Sequence, residues 1–400
     1  MSRIADRITS SAQKNYGMHA KAARLIDQRE LIHMELGQPA HDTPEHIKAA
    51  TIAAITAGQV HYSDLPGIAP LREALAHKLR TFNGIAATAD DVLVTNGLTH
   101  ASFAALLAIV NPGEEVILLD PAYPQHAGKI ELAGGRAVAA PLDAGHGFSI
   151  RAEWIEAKIT ARTKAIVLVN PCNPTGRVYR REELDALAEL AIRHDLIVIA
   201  DEVYEYNVYE GKHISIASLP GMAERTISLY AFTKSYAMDG WRIGYATAAP
   251  DILNAMLKIT ANDVTHVNTF VQHGALAAIT GDPGVLQHMV EDERIKRDFL
   301  VEALNRMPGV VCPLSEGSIY TFPDIRGTGI DSQMLADRLL SEARVVVESG
   351  AFYGAAGEGY LRICFGSQTL QVIKEAVSRL DSFFKNQIHR ISSDKISVCL

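Results

Sequence analysis

Between residues 91 and 231 short apolar runs rich in β-formers alternate with longer amphipathic stretches, and no other feature restricts the fold as much. The runs Asp91–Thr95, Glu115–Asp120, Arg136–Pro141, Lys164–Asn170, Leu196–Ala200 and Arg225–Ala231 read as strands. Thr99–Val110, Gln125–Ala133, Ala152–Ile159 and Arg181–His194 read as helices between them. A strand that returns parallel to its predecessor needs a crossover, usually a helix. This spacing therefore demands a mainly parallel sheet covered by helices on both faces. Trp241–Ala248 follows its predecessor too closely for such a crossover and is expected as an antiparallel member. The expected class is α/β.

Near Gly284–Pro308 the pattern changes to one long amphipathic helix. Shorter strand-like pieces follow at Ile319–Phe322, Arg344–Val347 and Tyr360–Cys364, then a terminal helix near Thr369–Phe384. With 400 residues, 48% of them hydrophobic, the chain can bury a large core and divide in two. The expected division is a large domain over residues 46–284 and a smaller α+β domain from residues 285–400. The first 45 residues, which hold no sheet of their own, are expected to pack with the smaller one.

A formal charge of −8 argues against nucleic acid or an anionic membrane as the main partner. No apolar run approaches the ~18 residues of a membrane span, and the start lacks the apolar core of a secretory signal. Cys172, Cys312, Cys364 and Cys399 are scattered without a CxxC pair, so neither a disulfide framework nor a metal site is expected. The expected location is cytoplasmic.

Ligands of such a sheet bind beyond the carboxyl ends of its strands, and unusual residues fall there. Thr95-Asn-Gly-Leu-Thr-His100 leads into a helix, so Gly97, Leu98, Thr99 and His100 can offer free N–H groups to a phosphate, or simply cap that helix. In Asn170-Pro-Cys-Asn-Pro-Thr-Gly176 two prolines rigidify the loop and aim Asn173, although a tight connection would look the same. Asp201 closes the apolar run Leu196–Ala200, a costly place unless a cation or donor meets it. The Walker B reading of Asp201-Glu202 fails because GxxxxGK[ST] is absent upstream.

Lys234 and Arg242 stand alone among small, aromatic and apolar neighbours. A lysine in dry surroundings suits Schiff-base chemistry, since desolvation favours the neutral amine. Arg242 offers a planar fork for phosphate or carboxylate. Arg362 lies inside the apolar run Tyr360–Phe365, where it needs an anion from the protein or from a substrate. Pyridoxal phosphate presents a phosphate, an aldehyde, a ring nitrogen and a phenolate oxygen, which answers this set.

With Leu36-Gly-Gln-Pro39 and His61-Tyr-Ser-Asp-Leu-Pro-Gly67 added, the sequence resembles the class I/II, fold type I, pyridoxal-phosphate-dependent aminotransferases over nearly its whole length. The resemblance implies that Lys234 forms the internal aldimine and shuttles the Cα proton. It implies that Asp201 pairs with the ring nitrogen, that Asn173 and Tyr204 bond the phenolate oxygen, and that Tyr123 stacks on the ring. Gly97, Leu98, Thr99, His100, Thr233 and Arg242 would hold the phosphate. Arg362 would grip the substrate carboxylate, with the Gly37 N–H and Asn173 assisting. Tyr62 would reach the phosphate in a neighbouring subunit, which implies a homodimer with shared sites. Ala231 stands where many members carry a phosphate-binding Ser, and Leu98 and His100 also depart from the usual residues. Amino acid and 2-oxo acid substrates follow. A β-eliminating lyase on the same fold is the alternative, and the substrate side chain stays open.

Overall fold

The alternation builds a seven-stranded mixed sheet in a computed structural model that describes residues 3–5, 7–8, 17–25 and 30–397. The strands in chain order are β1 (Ile32–His33), β2 (Leu93–Thr95), β3 (Glu115–Asp120), β4 (Arg136–Pro141), β5 (Thr163–Val169) and β6 (Ile197–Asp201). They continue with β7 (Thr226–Ala231), β8 (Gly244–Thr247), β9 (Tyr320–Thr321), β10 (Val345–Val346), β11 (Glu348–Ser349) and β12 (Leu361–Cys364). The large sheet runs β2-β8-β7-β6-β5-β3-β4, and β8 alone is antiparallel to its neighbours. Every residue of β3 is buried, as a strand covered on both faces requires. The helix Arg181–Arg193 packs on one face with Leu184, Leu187 and Leu190, while Gly97–Ile109 and Pro250–Asp263 cover the other.

Several boundaries differ from the sequence reading. β2 starts at Leu93, because Ala89–Asp91 form a 3₁₀ turn closed by the Asp91 carboxylate on the Thr88 N–H at 2.8 Å. β6 runs one residue further and takes in Asp201. The helix read at Ala152–Ile159 stops at Glu156, and the terminal helix extends from Leu370 to Ser397. The first 45 residues supply β1, which pairs in parallel with β10, so Ile32 and Met34 join Leu300, Ile363 and Ile373 in one apolar cluster. A three-stranded antiparallel sheet, β11-β12-β9, lies in the same region.

A buried ion pair fixes the turn after β6. Lys78, at the end of the helix Ala69–Lys78, donates to both Glu205 oxygens at 2.5 Å, and Asn83 donates to the same carboxylate at 2.8 Å. The ammonium lies 4.4 Å from the Tyr230 ring centre, with Phe82, Tyr206 and Tyr245 around it. Burial pushes its pKa down, and Glu205 opposes that shift. Removing one partner of such a pair strands the other charge in the core. Lys78→Ala should therefore lose about 3–5 kcal/mol in chemical denaturation, while Lys78→Met with Glu205→Leu recovers most of that. A double variant as unstable as the single one would contradict this account.

Candidate active site

β2, β3, β5, β6 and β7 point the same way, so their carboxyl ends share one edge of the sheet. That edge gathers Gly97 after β2, Tyr123 after β3, Asn173 after β5, Asp201 at the end of β6, and Thr233 and Lys234 after β7. The Lys234 amine turns onto the Gly37 carbonyl, and burial pushes its pKa below the usual lysine range. A desolvated amine is the nucleophilic form that condensation with a carbonyl needs.

Asp201 is buried. Its Oδ1 accepts the Val203 N–H at 3.3 Å, and its Oδ2 lies 3.4 Å from His126 Nε2. Burial lowers the pKa of His126 and so favours the neutral ring. Among the described residues no lysine or arginine reaches Asp201 within ion-pair distance. One turn beyond His126, the Lys129 ammonium donates to Ser102 Oγ at 2.6 Å, and burial pushes Lys129 down to about 8.

The helix Gly97–Ile109 begins without a side-chain cap, which leaves its first-turn N–H groups available to an anion. Gly97 has φ +79°, and a Cβ there would fall 2.6 Å from Arg242 Nη2, so only glycine lets the guanidinium lie against this turn. Arg242 itself has φ +56°. A non-glycine residue in that region is strained and occurs preferentially at functional sites. Its Nη1 donates to the Asp239 carbonyl at 2.8 Å, which aims the fork. Thr99 is exposed and Leu98 half-buried. The His100 ring is engaged differently: its Nδ1 accepts the Asn96 N–H at 3.1 Å and Nε2 faces Asp263 at 3.4 Å.

Arg362 enters from β12 and is buried. Its Nη1 donates to Asn173 Oδ1 at 3.0 Å, its Nη2 donates to the Glu35 carbonyl, and its Nε has no partner. The guanidinium lies 4.2 Å from the Tyr320 ring centre and 4.8 Å from that of Tyr353. The Tyr204 and Tyr320 hydroxyls meet at 2.9 Å, and burial pushes the Tyr204 phenol well up, keeping it protonated. Tyr123 packs edge-on to His126 at 5.6 Å. Tyr62 stands apart from all of these, 88% exposed, with its ring against His266.

Residues 29–380 match the family model described as aminotransferase class I and II. The chain belongs to that family. It is 35% identical to an aspartate aminotransferase of Musicola paradisiaca, over 97% of this chain and 100% of that one. It is 36% identical to an arginine–pyruvate transaminase of Pseudomonas aeruginosa, covering 90% and 92% of the two. A solved aromatic aminotransferase from Pyrococcus horikoshii superposes with a TM-score of 0.87 at 36% identity, over 92% of this chain and 99% of that one.

Aminotransferases of this class use pyridoxal phosphate, and the donor set here fits it. An uncapped helix start with an arginine fork suits a phosphate, a half-buried, desolvated amine suits an aldehyde, and a buried carboxylate that no lysine or arginine among the described residues meets suits a ring N–H. Three residues of the site escaped the sequence reading. His126 and Lys129 lie on the buried face of the helix Gln125–Leu132, and the helical period counted from Tyr123 could have found them. Tyr320 sits in a two-residue strand and carries no local signal.

Gly37 is held by Tyr320, whose hydroxyl would lie 1.9 Å from an added Cβ. Gly37→Ala should keep the fold by circular dichroism while displacing Tyr320 from Tyr204. A loss of roughly 100-fold in kcat/KM is expected, the scale of a 1 Å misplacement. Unchanged kinetics would show that this contact does not shape the site.

Proposed function

We propose that the chain moves the α-amino group of an amino acid to a 2-oxo acid, with the residues above in defined roles. The observation that carries this is the half-buried, desolvated Lys234 amine within electrostatic reach of both the Asp201 carboxylate and Arg362, the latter paired with Asn173. Pyridoxal phosphate, when bound, supplies an aldehyde that takes up the amino group and a ring that draws electrons from the substrate Cα. Lys234 Nζ holds the cofactor between turnovers and moves the proton at Cα. Asp201, with the neutral His126 behind it, keeps the ring nitrogen protonated. Asn173 and the protonated Tyr204 bond the phenolate oxygen, and Tyr123 covers the ring face.

The N–H groups of Gly97, Leu98 and Thr99, with Thr233 and Arg242, hold the phosphate. His100 acts by shaping their turn. Arg362 takes the substrate carboxylate with its fork, aided by Asn173 and the Gly37 N–H. Relatives named for aspartate, aromatic amino acids and arginine differ in side-chain charge. The part they share concerns the common α-amino acid portion, so the donor side chain calls for assay with pyruvate and 2-oxoglutarate as acceptors.

Three further readings accompany this one. Residues 46–284 form a large domain and residues 1–45 with 285–400 a smaller one, which the β1–β10 pairing supports. Tyr62 serves a second copy of the chain in a homodimer, and exposed Ile52, Ile55, Val60 and Leu65 nearby in sequence supply apolar surface for it. The buried free thiols of Cys172, Cys312 and Cys364 agree with a reducing cytoplasm. Among the described residues no helix is long and apolar enough to cross a membrane.

Mixed with donor amino acid and no acceptor, the enzyme should release one keto acid per site and then stop, whereas continuing release of ammonia would mark a lyase. Lys234→Ala should fold, lose the visible absorbance of lysine-bound cofactor and turn over negligibly, and Arg362→Ala should raise KM strongly while cofactor stays bound. Light scattering should give twice the mass of one chain, and a monomer with full activity would exclude shared sites.

A further inference from the structure

The helix Gly17–Ala22 and strand β1 bring two histidines onto one buried carboxylate, that of Glu35, whose backbone carbonyl borders the site above by accepting from Arg362. His19 Nδ1 and His33 Nδ1 each lie 2.9 Å from Glu35 Oε1, and the ligand atoms of the three residues all fall within 4.8 Å of one another. Glu35 is 2% exposed, whereas both imidazoles are partly exposed and leave a route from solvent. Two imidazole N–H donors would satisfy Oε1. They leave one fact unexplained: Glu35 Oε2 is buried without a hydrogen-bond partner, and among the described residues no lysine or arginine meets it. A buried carboxylate oxygen in that condition is costly, and a bound cation relieves it.

We propose that His19, His33 and Glu35 form a binding site for a divalent transition ion of the zinc class. Imidazole nitrogen with carboxylate oxygen is the donor set such ions prefer, while magnesium and calcium take mainly oxygen. Ligand atoms around tetrahedral zinc stand about 3.3 Å apart, given bonds near 2.0–2.1 Å, and the cluster reaches that spacing with small side-chain movements. Both Nδ1 atoms bind the ion, Glu35 turns its free Oε2 toward it, and water fills the exposed position.

The ion ties the helix Gly17–Ala22 to His33 of β1 and to Glu35 just beyond it, whose carbonyl accepts from Arg362. A second cluster, Glu202, Glu205 and His213, has suitable residue types. Its carboxylates are already met by Ser215, His213, Lys78 and Asn83, so it serves as the control. The sequence reading expected no metal site because the cysteines are scattered without a CxxC pair, and it did not weigh these three residues.

The test is zinc uptake by untagged, chelator-treated holoenzyme, followed by equilibrium dialysis and titration calorimetry. One zinc per chain is expected, with micromolar affinity and a raised melting temperature. His19→Gln and His33→Gln should each weaken uptake by at least roughly tenfold, since even outer-shell changes cost that much, and His213→Gln should leave it unchanged. Circular dichroism and the visible absorbance of bound cofactor verify that the variants fold. Absence of uptake at submillimolar zinc, or uptake unaltered in the His19→Gln, His33→Gln double variant, would overturn the proposal.

Discussion

A carboxylate at the end of a buried strand is tolerated only where something positive or protic meets it, and the site is arranged around that requirement at Asp201. Parallel pairing carries β6 through the middle of the sheet, so its last residue emerges among helices rather than in water. His126 approaches from the helix that follows β3 and stays neutral because burial disfavours its charge. The carboxylate is thereby held without being neutralised, and a cationic heterocycle can complete it. In the function proposed above, electron withdrawal depends on that one arrangement.

Other charged groups in the core obey the same constraint and position the site. Lys78 and Glu205 satisfy each other within a box of aromatic rings, and Glu205 adjoins Tyr204. Arg362 is half satisfied, by Asn173 and the Glu35 carbonyl, with aromatic faces on either side and Nε left over. An arginine so held is oriented and still able to bind an anion bidentately. The strain at Arg242 and the absence of a side chain at Gly97 let a guanidinium lie against an amide-lined turn, the place proposed above for the phosphate.

Much of this was legible in sequence because local pattern carried it. The strands β3 and β4 coincide with the apolar runs that predicted them, and β8 is antiparallel as its short connection required. Asp201, Lys234 and Arg362 stood out as charges at the end of, just beyond or inside apolar runs, and Asn173 because two prolines rigidify its loop. Tyr320 was illegible, since a tyrosine between a serine–isoleucine pair and a threonine looks like any other half-buried strand residue. Its meaning arises from Tyr204 and Arg362, over 40 residues away in either direction. The role of the His100 ring was illegible for a related reason: it accepts the Asn96 N–H one turn earlier, a contact that only the folded turn brings about.

The sequence by itself determined the order of strands and helices, the class of sheet, and the short list of groups able to do chemistry, because periodicity and the cost of isolated charge are local properties. Only the tertiary structure decided which of those groups meet. Gly37 faces Lys234 across 197 positions, Asn173 meets Arg362 across 189, and His19 joins Glu35 from a separate segment. Those distances depend on how the faces of the elements pack, and packing is a property of volumes and registers summed over the whole chain.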